Sequence, residues 1–210
     1  MIIKEKCKKC RRAGEKLFIK GEKCLSPKCI FEKKPFPPGL PLNARKHRTT
    51  LSEYGAQLKE KQKIRITYQL SEKQFANYIK KALAKHSVSP KEQLFEELEM
   101  RLDNVVYRLG FAQSRPLARQ ITSHGHFMVN GRRVDIPSYK VYKGDIITLR
   151  DRSKQKVLFA DIIKKNQKTS IPTWLRLNSK KLEGTVQGKP TLKDSDMTFN
   201  LVAIIEFYSR

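Results

Sequence analysis

The chain has 210 residues, 39% of them hydrophobic, and carries 45 Lys+Arg against 20 Asp+Glu, a formal net charge of +25. An excess of that size repels itself in isolation and implies a polyanionic partner; it excludes an ordinary surface of interspersed signs. The longest wholly apolar run, Leu201 to Ile205, is far short of a membrane span, and the start Met-Ile-Ile-Lys-Glu-Lys lacks the apolar stretch of a secretory signal, so a cytosolic chain is expected.

The charge is spread along the whole chain: residues 1–50 are net +11, 51–98 net +3, 99–155 net +6 and 156–210 net +5. A protein that confines its charge to one tail touches a polyanion on one side. This distribution suits a chain contacted on several sides.

All four cysteines fall in the first 29 residues, as Cys7-x2-Cys10-x13-Cys24-x4-Cys29. Residues 1–34 hold too few large apolar side chains for a core of their own. Two close pairs of thiolates fit a closed tetrahedral site, and metal binding then supplies the folding energy that the missing core cannot. One structural zinc ion on Cys7, Cys10, Cys24 and Cys29 is the expectation. The neighbouring Lys6, Lys8, Lys9, Arg11 and Arg12 favour thiolate over thiol beside a net-negative zinc centre. Paired disulfides compete with zinc but suit a cytosolic chain poorly. An iron–sulfur cluster competes too, though the spacing departs from the ferredoxin patterns. With four thiolates the metal has no open position, so no catalysis by it is expected.

Residues 35–43, PFPPGLPLN, read as an extended linker. Ser52 can cap a helix running through Gln57 toward Ile64. Ser71-x-x-Gln74 is a capping box, followed by Phe75, Tyr78, Ile79, Ala82 and Leu83 on one helical face. Ser89-Pro90-x-Glu92 opens another helix, whose apolar stripe Leu94, Phe95, Leu98, Leu102, Val105, Val106, Leu109 runs to a stop at Gly110. Such stripes belong to a core. Ser114 caps a shorter helix with Leu117, Ala118 and Ile121 inward. The period then changes: Phe127–Val129, the turn Asn130-Gly131 and Arg132–Val134 read as a hairpin. Lys143-Gly144-Asp145 turns into a further strand, Ile146–Leu149. The tail is read as a helix near Phe159–Lys165 and a closing apolar strand, Leu201 to Phe207. The fold class is α+β: a mainly helical domain with an inserted small helix-hairpin RNA-binding module and an N-terminal four-cysteine zinc segment. Its divisions are residues 1–43 (zinc segment and linker), 44–98 (helical domain), 99–155 (inserted module) and 156–210 (completion of the helical domain).

The inserted module carries the binding chemistry. Arg101 and Arg108 lie two helical turns apart, on a face expected to oppose the apolar stripe and so to project outward. Arg115 and Arg119 lie four apart on the next helix, with Arg115 in its first turn beside free backbone amides. Asn130 sets a tight turn that presents the cations Arg132 and Arg133. Two basic helices and a basic hairpin tip suit the shallow groove and phosphates of folded RNA. Any one of these arginines alone is more simply a surface ion pair, for instance with Asp103; together they form a set. The histidines His47, His86, His124 and His126 show no ligand pairing with the cysteines. Trp174, the only tryptophan, is read as a packing anchor.

The stretch RLDNVVYRLGFAQSRPLARQITSHGHFMVNGRRVDIPSYKVYKGDIITLR resembles the RNA-binding module named after the fourth protein of the small ribosomal subunit. That module also occurs in pseudouridine synthases, a heat-shock protein and tyrosyl-tRNA synthetases. The flanks LSEYGAQLKEKQKIRITYQLSEKQF, IPTWLRL, KLEGTVQGKP and IIEFYSR resemble the bacterial ribosomal family itself, in its zinc-bearing branch. The resemblance implies a primary binder of small-subunit (16S-type) rRNA that nucleates assembly of the subunit body. It implies contacts with neighbouring small-subunit proteins and an influence on translational accuracy. It further implies basic residues Arg45, Lys46 and Arg48 near the channel by which messenger RNA enters; Arg11, Arg12 and Ser114 are also expected to contact RNA. No membrane and no small-molecule substrate are implied, and the location is cytoplasmic, on the ribosome. The Pro-rich 35–43 segment replaces a shorter family loop with a Gly-Gln-His-Gly sequence, and the short arm before the first cysteine is largely missing.

An RNA-modifying enzyme is the rival class. Residues 156–210 are too few for a catalytic domain, and the chain offers no Gly-rich phosphate loop, Ser/His/Asp set or open metal site. A zinc-dependent transcription factor is the third class, but no base-reading helix follows the cysteines.

Overall fold

In the computed structural model, residues 5–39, 50–84, 89–156, 158–159, 171–178, 181–192 and 199–209 are described. The chain forms two compact units, Met1–Lys91 with Met197–Arg210, and Glu92–Asp196.

The first unit is helical. Its described elements are α1 (Lys6–Ala13), a short 3-10 turn (Gly21–Cys24), α2 (Ile30–Lys33), α3 (Glu53–Thr67), α4 (Glu72–Ala84) and, at the far end of the sequence, a helix at Leu201–Ser209. The caps read from sequence are in place: the Gly55 amide donates to Ser52 Oγ at 3.2 Å, and the Gln74 amide to Ser71 Oγ at 3.3 Å. Phe75, Ile79 and Ala82 face inward on α4. Among the described residues of the N-terminal segment, Cys10, Ala13, Leu17 and Ile19 pack with Ile66 of α3 in one small core. Lys63 of α3 donates to Glu15 at 2.6 Å, fastening the same segment.

The second unit mixes helix and sheet. It holds most of α5 (Pro90–Glu99), then α6 (Leu102–Arg108), α7 (Arg115–Ser123), β1 (Phe127–Val129), β2 (Arg132–Val134), β3 (Ile146–Leu149), α8 (Asp151–Lys154), β4 (Leu175–Asn178) and β5 (Glu183–Val186). The sheet is antiparallel throughout, in the order β2-β1-β3-β5-β4. Inward residues of β1, β3 and β5 meet Leu102, Val105, Val106 and Leu109 of α6 and Ala118 and Ile121 of α7 in one core, which also contains Trp174. Each large apolar side chain buried there contributes about 1.5–3 kcal/mol. Asn130 (φ +49°) and Gly131 (φ +78°) both take the left-handed conformation that a two-residue hairpin turn of matching twist needs.

Three expectations are corrected. The single helix read over 89–110 is two helices, broken at Met100–Arg101. Arg101 is extended there, pairing with Lys140, and the Val141 amide donates to Met100 O at 2.9 Å while the Leu102 amide donates to Tyr139 O at 2.8 Å. The apolar stripe runs through the break because both helices bury the same side.

The closing strand Leu201–Phe207 is helical, and Leu201–Ser209 is named α9. Asn200 caps it, its Oδ1 accepting from the Ala203 amide at 3.1 Å. Ile204 is buried, Phe207 stacks on Tyr54 at 5.3 Å, and Tyr208 meets Phe75 edge-on at 6.0 Å. The spacing of those three residues is helical, and a short apolar run cannot show it by itself. Third, the units cut the chain elsewhere than composition does. IPTWLRL and KLEGTVQGKP supply β4 and β5 to the sheet of the second unit, and residues 197–210 alone return to the first. The helix read near Phe159–Lys165 lies, beyond Phe159, outside the described residues.

Candidate nucleic-acid interface

The arginines of α6 and α7 do not share one surface. Arg101 and Arg108, expected to project outward, are 1% and 8% exposed. Arg101 grips Asp103 with two parallel bonds, Nε to Oδ1 at 3.0 Å and Nη2 to Oδ2 at 2.7 Å. Arg108 grips Glu99 the same way, at 2.9 and 3.2 Å. The reason is the helix break: with α5 and α6 separated at Met100, Glu99 and Asp103 turn into the junction, and buried carboxylates require cationic partners. These two arginines are interior braces, and the outward reading of them is withdrawn.

Arg115 and Arg119 ring the same acids from α7. Ser114 caps that helix through the Leu117 amide and is itself buried, so its hydroxyl has a structural task. Arg115 Nε donates to Asn104 Oδ1 at 2.9 Å, its Nη2 lies 3.9 Å from Glu99, and its guanidinium stacks over the Tyr107 ring at 4.4 Å. Arg119 Nη1 reaches Asp103 Oδ2 at 3.4 Å. Both remain partly exposed. Sequence reasoning passed over Glu99, Asn104 and Tyr107. The available signal was three polar or acidic positions, Glu99, Asp103 and Asn104, crowded at one point of an apolar stripe.

At the hairpin tip Arg132 and Arg133 are exposed, and Arg133 pairs loosely with Asp135 at 3.5 Å. Arg133 lies across Gly125, where any Cβ would collide with its guanidinium. Asn130 fixes the tip to the next turn: its Nδ2 donates to Asp145 Oδ1 at 2.8 Å and its Oδ1 accepts from the Ile146 amide at 2.9 Å. At the other end of β1, His126 packs edge-on against Phe159 at 5.5 Å, with Nδ1 2.9 Å from Ser153 Oγ. Burial lowers its pKa below the ordinary value of 6.5, and the positive charge of Lys156, His124 and Arg150 lowers it further.

In the first unit Arg12 is exposed, whereas Arg11 donates to Phe36 O at 2.8 Å and lies over the Phe36 ring at 5.0 Å, so the start of the Pro-rich segment is held against α1. Arg45, Lys46 and Arg48 lie outside the described residues. The four cysteines are free thiols. They line one pocket with Lys6, Ile19, Lys20 and Phe31. The Lys20 amide points to Cys24 Sγ at 3.4 Å. Burial pushes the Cys10 and Cys24 thiols up, and the proximity of the other thiols adds to it. Four sulfur donors on one pocket suit a thiophilic ion, but among the described residues no group of three or more His, Cys, Asp or Glu side chains is arranged to hold one.

A small helix-and-sheet unit with paired guanidinium groups on α7 and a braced basic hairpin tip has the build of an RNA-binding module. Comparison with known proteins agrees. Residues 100–147 match the family described as S4 domain, and residues 2–99 match the Ribosomal protein S4/S9 N-terminal domain. The chain is 48% identical to the small ribosomal subunit protein uS4 of Caldicellulosiruptor bescii over 204 residues, covering 97% of this chain and 96% of that one. It is 45% identical to the uS4 protein of Halothermothrix orenii and 42% identical to that of Thermotoga maritima, with the same coverage. The chain belongs to the uS4 family of small-subunit ribosomal proteins.

Proposed function

We propose that this chain is a structural, non-enzymatic constituent of the small ribosomal subunit and a primary binder of its rRNA. The observation that carries the reading is the pairing of near full-length uS4 similarity with a module whose α7 guanidiniums and hairpin tip are held by hydrogen bonds. Cations in fixed register select a folded polyanion over a flexible one, because their ordering cost is met before binding. Arg115, Arg119, Arg132 and Arg133 are read as phosphate contacts, with Asn130 setting the tip. Arg101 and Arg108 act behind them.

Finer parts of the proposal extend this. The chain nucleates assembly of the subunit body, touches neighbouring small-subunit proteins and contributes to accuracy. Arg45, Lys46 and Arg48 contact messenger RNA near the channel by which it enters. One zinc ion is proposed on Cys7, Cys10, Cys24 and Cys29. Free thiols on a shared pocket and an amide aimed at Cys24 support it, and binding would draw the four sulfurs together. Zinc there supplies a cross-link, without chemistry on a substrate.

The test is binding of the full chain to folded small-subunit rRNA, against poly-uridine of equal length, from 50 to 200 mM salt. A preference for the folded RNA is expected, with affinity falling on the order of a thousandfold over that range if about 6–10 phosphates are neutralised, a benchmark borrowed from duplex DNA. Equal affinity for both RNAs would leave only a sticky basic protein.

A further inference from the structure

We propose that Asp103 and Asn104 are positioning residues: buried themselves, they set the guanidinium groups of Arg119 and Arg115 in register for two adjacent phosphates of the RNA. The inference rests on the reading of those two arginines as phosphate contacts.

Side-chain exposure rises from Arg101 (1%) and Arg108 (7%), the inner pair, through Arg115 (10%) to Arg119 (21%), the outer pair. Arg101 takes both oxygens of Asp103, and Arg108 takes both oxygens of Glu99. Those contacts neutralise the acids inside the module. Arg119 meets Asp103 through Nη1 at 3.4 Å, a longer contact, and its side chain remains 21% exposed. Arg115 is located by Asn104 Oδ1 at 2.9 Å and by the Tyr107 ring beneath it. Asn104 is in turn fixed by Glu99, which accepts from its Nδ2 at 2.9 Å, and by the Glu99 backbone carbonyl at 3.1 Å. Each outer arginine is thus held along one part of its fork by a group that is itself immobilised.

An arginine free on a surface gives up substantial rotamer entropy when it grips a phosphate, and its planar fork recognises phosphate only in the right orientation. The arrangement here removes much of that cost in advance. A module that needed only positive charge would gain nothing from acids at this place, since each acid subtracts from the attraction.

That contrast gives the test, made on the full chain and folded small-subunit rRNA by filter binding between 50 and 200 mM salt. Asp103→Asn removes a negative charge, so long-range attraction alone makes binding tighter. Positioning makes it weaker, by about tenfold, with a shallower salt slope, as for a lost phosphate contact. Asn104→Ala is expected to act alike through Arg115. Arg119→Lys keeps the charge but not the fork, and is expected to lose about as much as Asp103→Asn, the two together losing less than the sum of their separate losses. Thermal melting by circular dichroism fixes a temperature at which every variant tested is folded. If Asp103→Asn does not fold, Asn104→Ala decides through Arg115: full affinity overturns the proposal, and a loss with a shallower salt slope supports it. Folded Asp103→Asn binding as tightly as the parent, or more tightly, while Arg119→Ala binds weakly, overturns the positioning role and leaves the phosphate reading standing. If Arg115→Ala with Arg119→Ala changes neither affinity nor slope, the phosphate reading itself falls, and the proposal with it.

Discussion

Replacing Arg108 by alanine separates the structural account of this side chain from the surface one. On an exposed helix face the change costs within about 0.5 kcal/mol. Here it strips two hydrogen bonds, at 2.9 and 3.2 Å, from a Glu99 that is 1% exposed. A buried carboxylate deprived of its main partner destabilises by about 3–5 kcal/mol. For a unit of roughly 100 residues that lowers the melting temperature by about 15–25 °C. The assay is urea and thermal unfolding of the full chain followed by far-ultraviolet circular dichroism. Replacing both partners, Glu99→Leu with Arg108→Met, is expected to recover most of the loss, because neither charge of this pair is then left buried without the other, and Arg115 keeps its bond to Asn104 Oδ1. A single-variant cost below about 0.5 kcal/mol, or a double variant worse than the single, would refute the brace.

Acid should weaken the second unit. The folded-state pKa of His126 is lowered from 6.5, so as pH falls through that value the unfolded chain takes the proton first and stability declines. His126→Gln should flatten denaturant midpoints measured from pH 7.5 to 5.5, and an equal slope in parent and variant would remove His126 as the cause. Asn200→Ala should cost about 1 kcal/mol through loss of the α9 cap; a cost near zero in urea unfolding would contradict that cap. Cys24→Ser should lose about one zinc per chain by elemental analysis, while α1 keeps part of its protection from proteolysis through Ile66 and Lys63. A zinc-free parent protein would end the zinc reading.

Within the first unit, Ser52 and Ser71 were legible as caps because capping is local: the acceptor lies three residues from the amide it receives. Leu201–Phe207 reads as strand from sequence because a run of five apolar residues fits either state, and the ring contacts of Phe207 with Tyr54 and of Tyr208 edge-on with Phe75 that decide for helix come from residues more than 130 positions away. β4 and β5 went unmarked for a similar reason. They are four residues each, and their edge is supplied by β3.

From the sequence alone came the polyanionic partner, the helical stripes, the Asn130-Gly131 hairpin, the clustered cysteines and, through motif resemblance, the ribosomal family. All of these depend on composition or on neighbours within a few residues. Tertiary structure decided which arginines turn inward. By periodicity alone the stripe is one helix, with Arg101 and Arg108 opposite its apolar side. The break at Met100, where Val141 and Tyr139 pair with the chain, turns Glu99 and Asp103 inward and draws those two arginines after them. Electrostatic pairing in a buried junction depends on where distant segments meet, and periodicity along one helix carries no information about that.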